Sequence, residues 1–393
     1  MRLQLFFSVL ASLLSYQASA TAVELTLGGY GLALGNEPRA KGLRLNLRDH
    51  QVQRVDGLNL TLWKAKEDSE AVFNGAAVGL IGPEGGVLRG LMVGGLEVWA
   101  EKSLTGIALG GAGVGGNGDL NGIAAGLAGV GAGEDISGVA VGGIGVGAAG
   151  KLTGIAVGGV GVGTGDDVTG MMLGGVGAMA GENLKGIGAG LVGVGVGEDL
   201  DGLVLGGIGV GVGKNLKGIA LGGVGVGIAK NAVGLALGGL GTVVGENLKG
   251  LAAGLIGVAV GKDLSGLGIG GVGMGVGGTV RGIAVGGVVR VGKKINGISL
   301  GPAGVRAEER ISGIAGSLVS IGAPAMRGVM VSGLNGVVFE DFWFHKVNQR
   351  LSGLSVGLLN TTSQLRGLQL GLLNYAGNNP RWLRLLPLVN LHL

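Results

Sequence analysis

Cysteine is absent from the 393 residues, proline occurs 6 times, aromatic residues make up 3% and charged residues only 14%. Each shortage excludes something. Without cysteine, an exported chain has to stabilise itself without disulfides, and the processed N-terminus offers no thiol for a lipid anchor. Six prolines cannot support polyproline geometry, and glycine does not recur every third residue, so collagen is excluded. So few charges, with a mean hydropathy of +0.56, exclude disorder: a chain this apolar must bury side chains or meet a membrane. Beyond the N-terminus no run of ~18 apolar residues is free of glycine clusters and charges, so no transmembrane helix is expected. The net charge of +4 is small and mixed in sign, and no aromatics interleave with the basic residues, which argues against nucleic acid.

Glycine is what the chain has, 95 residues or about a quarter against a usual ~7%. The first twenty residues read as a secretory signal: Arg2 is the charged end, Leu3 to Leu14 the apolar stretch and Ala18-Ser19-Ala20 the small-residue cleavage site. The mature chain is then expected to start near Thr21.

Cut every sixteen residues from Leu88, the chain repeats: LTGIAVGGVGVGTGDD from Leu152, LDGLVLGGIGVGVGKN from Leu200, LKGIALGGVGVGIAKN from Leu216. The register holds from Leu88 to the block starting at Val280, with glycine third (Gly90 to Gly282) and seventh (Gly94 to Gly286) in every block. Fifteen-residue steps follow from Val280 to Ile295 and from Ile311 to Met326, and a fourteen-residue step from Leu351 to Leu365. Upstream, VDGLNLTL at Val55 and FNGAAVGL at Phe73 are degenerate copies.

Within a block the larger apolar residues take positions one, four, six, nine, eleven and usually thirteen. Ile219 and Leu221 alternate with Ala220, and Val224, Val226 and Ile228 alternate with glycine. Two period-two runs joined at Gly222-Gly223 read as two strands and a corner, since a helix would carry its glycines at ~1 kcal/mol each. Polar residues such as Lys214-Asn215-Lys217 mark the second corner. The expected fold is therefore all-β, a parallel β-solenoid of ~16-residue two-strand coils with irregular caps, the aliphatic residues inward and the broad faces paved with Gly and Ala. Trp63, Trp99, Phe339, Phe342 and Trp343, in the less regular ends, are expected to cap the first and last apolar layers. The organisation read from the repeats is a signal peptide (1–20), degenerate N-terminal repeats and cap (21–87), the regular array (88–295), irregular repeats (296–350), and C-terminal coils with a cap (351–393).

From Leu351 the sequence LSGLSVGLLNTTSQLRGLQLGLLNYAGNNPRWLRLLPLVNLHL contains G-φ-x-φ-G-L-φ-N at Gly353 to Asn360 and Gly367 to Asn374, and closes on an apolar, Pro-containing strand, Leu386 to Leu393. This stretch resembles a bacterial surface-repeat family first recognised in spirochaetes. The resemblance covers the last ~45 residues; the glycine-rich middle lacks the Leu-φ-Asn ending. It implies an exported, surface-associated repeat protein with no assigned catalytic activity, and it carries no functional residues across.

Motif matches coincide with repeat positions. GISLG around Ser299 and GLSVG around Ser355 fit G-x-S-x-G, but both serines take the fifth repeat position, and the three histidines, His50, His345 and His392, lie outside the regular array. GVGAAGKL ending at Leu152 and GIGVGVGKN ending at Asn215 resemble phosphate loops without the Ser or Thr that would hold magnesium. Glu134-Asp135, Asp166-Asp167 and Glu198-Asp199 with Asp201 could offer oxygen ligands to calcium, yet Lys214, Lys230 and Lys262 hold the same place elsewhere, so solvated turns are the better reading. Arg281, Arg290, Lys293, Lys294 and Arg306 form a basic cluster that could touch phosphates or an anionic glycolipid but is read chiefly as a solvated edge.

No catalytic, cofactor or metal residue is assigned. The chain is expected to be a non-enzymatic, exported structural or interaction protein presenting a repetitive Gly-rich β surface at the bacterial cell surface, outer membrane or periplasm. Its partner is expected to be a surface or envelope component, with self-association through the Gly-rich faces and membrane association as further modes and nucleic acid not among them. The alternative is a β protein integrated in the outer membrane, drawn from the valine–glycine alternation and the terminal Val389 to Leu393.

Overall fold

A computed structural model describes residues 23–27, 30–66, 69–340, 343–346 and 349–393, and the chain is a parallel β-solenoid of coils near sixteen residues. The expected signal segment and Phe342 lie outside the described residues. Two compact units are resolved, residues 1–158 and 159–393.

Each regular coil supplies two strands, one over positions one to seven and one over positions ten to thirteen, as in Leu216–Gly222 and Gly225–Ile228. Every residue pairs with its equivalent in the next coil: Leu216 with Leu200 and Ala232, Val226 with Val210 and Thr242. The antiparallel meander of the rival reading is not the topology of the array. The shortened steps are observed as registers, Val280 against Ile295, Ile311 against Met326 and Leu351 against Leu365. In the first unit the degenerate copies are true coils, with Gly57 paired to Gly42 and Gly75.

The invariant third glycine has a physical cause. Gly218 sits at a φ of 129°, and a Cβ there would overlap the Gly202 carbonyl oxygen of the preceding coil. The same conformation recurs at eight such glycines from Gly42 to Gly154 in the first unit and at thirteen from Gly170 to Gly367 in the second. A side chain is thus excluded twice, by the dihedral and by the stacking distance.

The expected facing of the aliphatic residues holds at positions one, eleven and thirteen and is corrected by the burial pattern at four, six and nine. In the coil from Leu216, positions one, five, seven, eleven and thirteen are buried (Leu216, Ala220, Gly222, Val226, Ile228), whereas Ile219 at position four is 38% exposed and Val224 at position nine 45% exposed. Leu221, at position six, is half-buried. Across positions four to six the small residue faces in and the larger ones out, because the two strand layers of one coil are held close at the corner: a Cβ on Gly222 would overlap the Gly225 carbonyl oxygen. The slot between the layers then takes one Ala-sized and one Val-sized side chain.

Positions five and eleven share that slot, and in two coils they trade volume. Met172 at position five has Ala178 at position eleven; Gly268 at position five has Met274 at eleven, whose methyl fills the place of the missing Cβ. The exchange belongs to these two coils: elsewhere Val stands at position eleven opposite Met92, Val204 and Gly188 alike, as Val98, Val210 and Val194.

Among the described side chains no aromatic plugs an end of the stack, and polar groups stand there instead. In the first unit Val23–Leu27 runs antiparallel to Tyr30–Leu34, and the fifth-position row runs Ala33, Arg44, Asn59. Arg44 is fully buried, ion-paired with Asp49, and donates from Nη1 to Asn59 Oδ1 (2.8 Å) and from Nη2 to Asn36 Oδ1 (2.9 Å). Trp63 is exposed, and Trp99 lies on the outside of a second strand, beside Gly115 of the next coil. In the second unit the last strand, Leu385–His392, turns back antiparallel to Gln364–Ala376 over buried Gln369, Asn374 and Asn390. Phe339 and Trp343 belong to an antiparallel hairpin, Val337–Glu340 with Trp343–Lys346. Buried polar groups close each end because they present hydrogen-bonding groups where the apolar stack stops.

Two substitutions separate glycine for conformation from glycine for surface. Gly218→Ala is expected to cost at least about 2 kcal/mol. Gly227→Ala, whose added Cβ would meet nothing within 4 Å, is expected to change stability by less than about 1 kcal/mol. Paired thermal melts read the difference. In the core, Gly268→Ala alone is expected to cost about 1–3 kcal/mol by overpacking against Met274. Gly268→Ala with Met274→Val recreates the Ala220–Val226 pair, so the double variant is expected to melt closer to the parent than Gly268→Ala does.

Candidate interaction faces

Three surfaces follow from this packing. The first is the outer side of the first strands, where positions four and six form two ladders of apolar side chains; Ile219 and Leu221 pair with Leu203 and Leu205 on one side and Leu235 and Leu237 on the other. In the second unit position four is Met, Ile, Leu or Val in every coil from Met171 to Leu368. Position two, also exposed, borders these ladders. From Thr169 to Arg366 its row holds Lys185, Lys217, Lys249, Arg281, Arg327 and Arg366 against a single anion, Asp201.

The second surface is the outer side of the second strands. Positions ten and twelve point out there, and the glycines at Gly225 and Gly227 leave the ladder nearly bare. The expectation of glycine-paved faces therefore holds for this side and fails for the other. Arg290 and Arg306 interrupt the glycine rows as paired neighbours, while Arg281 stands on a first strand and Lys293 and Lys294 at the corner between. The basic cluster read from the sequence is thus divided among three surfaces.

The third surface is the edge at positions fifteen and sixteen. Asp199 Oδ1 accepts the backbone N–H of Asn215 (3.0 Å) and its Nδ2 (2.8 Å), and Asn215 Oδ1 accepts the same pair from Asn231 (3.3 and 3.0 Å). Asp135 accepts the N–H of Lys151 (2.7 Å), and Asp167 the Nδ2 of Asn183 (2.9 Å). These carboxylates are ladder acceptors, and no group of three or more metal-ligating side chains occurs among the described residues. The sequence marks the position as polar, but its hydrogen-bonding role is visible only once residues sixteen apart are stacked. Lys214, at the end of the second phosphate-loop-like stretch, is ion-paired with Glu198, and that hydrogen bond raises the lysine pKa above its ordinary value.

Ser299 and Ser355 both point into the core at position five. Ser299 Oγ has no hydrogen-bond partner, whereas Ser355 Oγ donates to Asn360 Oδ1 (2.7 Å). Asn360 in turn stands between Asn335 and Asn374 in a buried stack, with Asn335 Nδ2 donating to Asn360 Oδ1 (2.9 Å) and Asn360 Nδ2 to Asn374 Oδ1 (2.7 Å). The Asn of each G-φ-x-φ-G-L-φ-N unit thereby takes the interior place that Val226 holds in the regular coils. His392 contacts Asn379, His50 pairs with Lys66 through the backbone, and the His345 side chain lies outside the described ones. The structure brings none of these histidines to either serine among the described contacts.

No family model, no curated protein and no solved structure matches the chain.

The two serines respond oppositely to the same change. Ser299→Ala removes an unsatisfied hydroxyl and is expected to leave stability unchanged or raised by up to about 1 kcal/mol. Ser355→Ala strips Asn360 of a donor in the core and is expected to cost about 1–2 kcal/mol. Thermal melts of both check this, and neither substitution is expected to change any hydrolytic rate of the preparation.

Proposed function

We propose that this is an exported, non-enzymatic interaction protein of the bacterial envelope whose working element is the repeated outer face of its first strands. One observation carries the reading: the ladders at positions four and six hold half-buried to exposed apolar side chains on the outer side coil after coil, with no further layer covering them among the described residues. Isolated exposed aliphatics need no explanation, but a contiguous apolar face marks contact with another surface. Export is supported by the signal-like first twenty residues, and placement at the cell surface by the resemblance of Gly353 to Asn360 and Gly367 to Asn374 to the spirochaete-type surface repeats. The contact surface we assign differs from the Gly-rich one expected from the sequence, since the glycine ladders have little to offer except flatness. Integration into the outer membrane, the alternative, draws on the same outward aliphatics, but spanning barrels are built from antiparallel strands rather than parallel coils. No helix among the described residues is long and apolar enough to cross a membrane, which says nothing about strands.

Replacing Ile219, Leu221, Leu235 and Leu237 together by Thr tests the assignment. The variant is expected to keep its strand content and to melt near the parent, because these side chains are outside the core. Its retention on an octyl-coated surface is expected to fall by at least tenfold, while Gly225→Glu, on the opposite face, leaves retention unchanged. Unaltered retention in the four-residue variant overturns the reading.

A further inference from the structure

Building on that reading, we propose that in the second unit the first-strand face docks on an anionic phospholipid bilayer surface. The apolar ladders would lie among the acyl-chain ends of the headgroup layer, and the position-two cations would meet the phosphates.

The charges are sorted, and the sorting is periodic. Lys185, Lys217, Lys249 and Arg281 recur every thirty-two residues, one cation on every second coil, all exposed and all two residues before the first apolar ladder. At ~4.8 Å per coil the spacing is about 10 Å. Counting Arg327 and Arg366 against Asp201, the row carries six cations and one anion, a net of +5. The intervening places hold Thr169, Val233, Ser265, Asn296, Ser312 and Ser352, all neutral. Lys217 pairs with Asp201 (3.2 Å) and Arg281 with Asp263 (3.4 Å), but Lys185 and Lys249 have no ion pair among the described residues.

The acidic edge next to this row, which also carries Asp166, Asp167 and Glu182, is itself offset in part. Glu198 and Glu246 are engaged by the edge lysines Lys214 and Lys262. Asp199 and Asp263 spend an oxygen on the next coil's backbone N–H. The first unit supplies the contrast: beside comparably apolar ladders its row reads Lys41, Asp56, Asn74, Arg89, Thr105, Asn121, Ser137 and Thr153, two cations against one anion in eight coils. Apolarity is thus common to both units, whereas the basic row is added in one.

Such a face has the composition of interfacial membrane binders, in which apolar area inserts shallowly and basic side chains reach up to the headgroups along their own methylenes. A second copy of the chain is a poorer occupant. Stacking two such solenoids antiparallel, first-strand face to first-strand face, sets one basic row over the other, and an apolar partner without charge leaves the row unanswered.

Flotation of the purified chain with vesicles of neutral phosphatidylcholine, and of the same lipid with about a third phosphatidylglycerol, tests the proposal. Binding to the anionic vesicles is expected to be at least tenfold tighter and to weaken with salt. The variant K185S/K217S/K249S/R281S is expected to lose anionic binding by roughly fivefold per cation removed, while its octyl retention stays intact. Equal binding to both vesicles, or an unchanged quadruple variant, overturns the proposal. So does a dimer by sedimentation equilibrium that requires the aliphatic residues and fails to bind vesicles. Octyl retention without vesicle binding removes the lipid assignment alone; loss of both removes the underlying reading of the face as well.

Discussion

Everything in this protein is spaced by the approach of one coil's backbone to the carbonyl of the coil before it at the third position. Gly218 can be followed in space by Gly202 and Gly234 only because none of them carries a Cβ. Once that contact is made, the register of the remaining positions follows, since a parallel pair shifted by one residue would exchange inside for outside along the whole strand. The Asx ladder at the edge repeats the principle with side chains: Asn231 reaches the Asn215 Oδ1 with both its backbone N–H and its Nδ2 only at an offset of sixteen. Backbone approach and side-chain ladder therefore enforce one period by independent means.

Period, strand class, corners and shortened coils could all be read from the residues, because each is a matter of spacing, and spacing survives projection onto a line. Facing could be read only in part. Positions four, five and six of a coil such as Ile219-Ala220-Leu221 are all apolar, and the rule that large aliphatics go inward picks the wrong member. The rule presumes a core thick enough for them, whereas the tight corner at Gly222 leaves room for Ala and Val. A signal for the true facing was present in two coils, in the exchange of size between positions five and eleven, Met172 with Ala178 and Gly268 with Met274, which positions four and six do not share. The caps were misread for a related reason: aromatic residues drew notice at the ends, while the groups that close them are Arg44, Asp49 and Asn59 in one unit and Gln369, Asn374 and Asn390 in the other. A buried arginine looks like any other in sequence until its partners are placed around it.

The two broad sides divide labour by side-chain size. A glycine ladder offers its partners almost nothing beyond backbone, and an aliphatic ladder offers area without direction. Specificity in such a protein has to come from the polar row beside the area, which is where the two units differ while their cores stay alike. The regular coil is thus a neutral support on which charge can be written at position two without disturbing the fold.

The hairpin between Val337 and Lys346 bears on where the chain can change length. It enters after a second strand that has shrunk to Leu334–Asn335, yet the first strands on either side, Ala325–Val331 and Arg350–Val356, still pair residue for residue across a twenty-five-residue step. Coils of fourteen and fifteen residues absorb their deletions in the same half of the turn, for Leu351 to Val356 still meets Leu365 to Leu370 in full. Insertions and losses fall in the second-strand half of the turn and leave the first-strand side continuous, so a coil can change length without breaking the ladder its neighbours share.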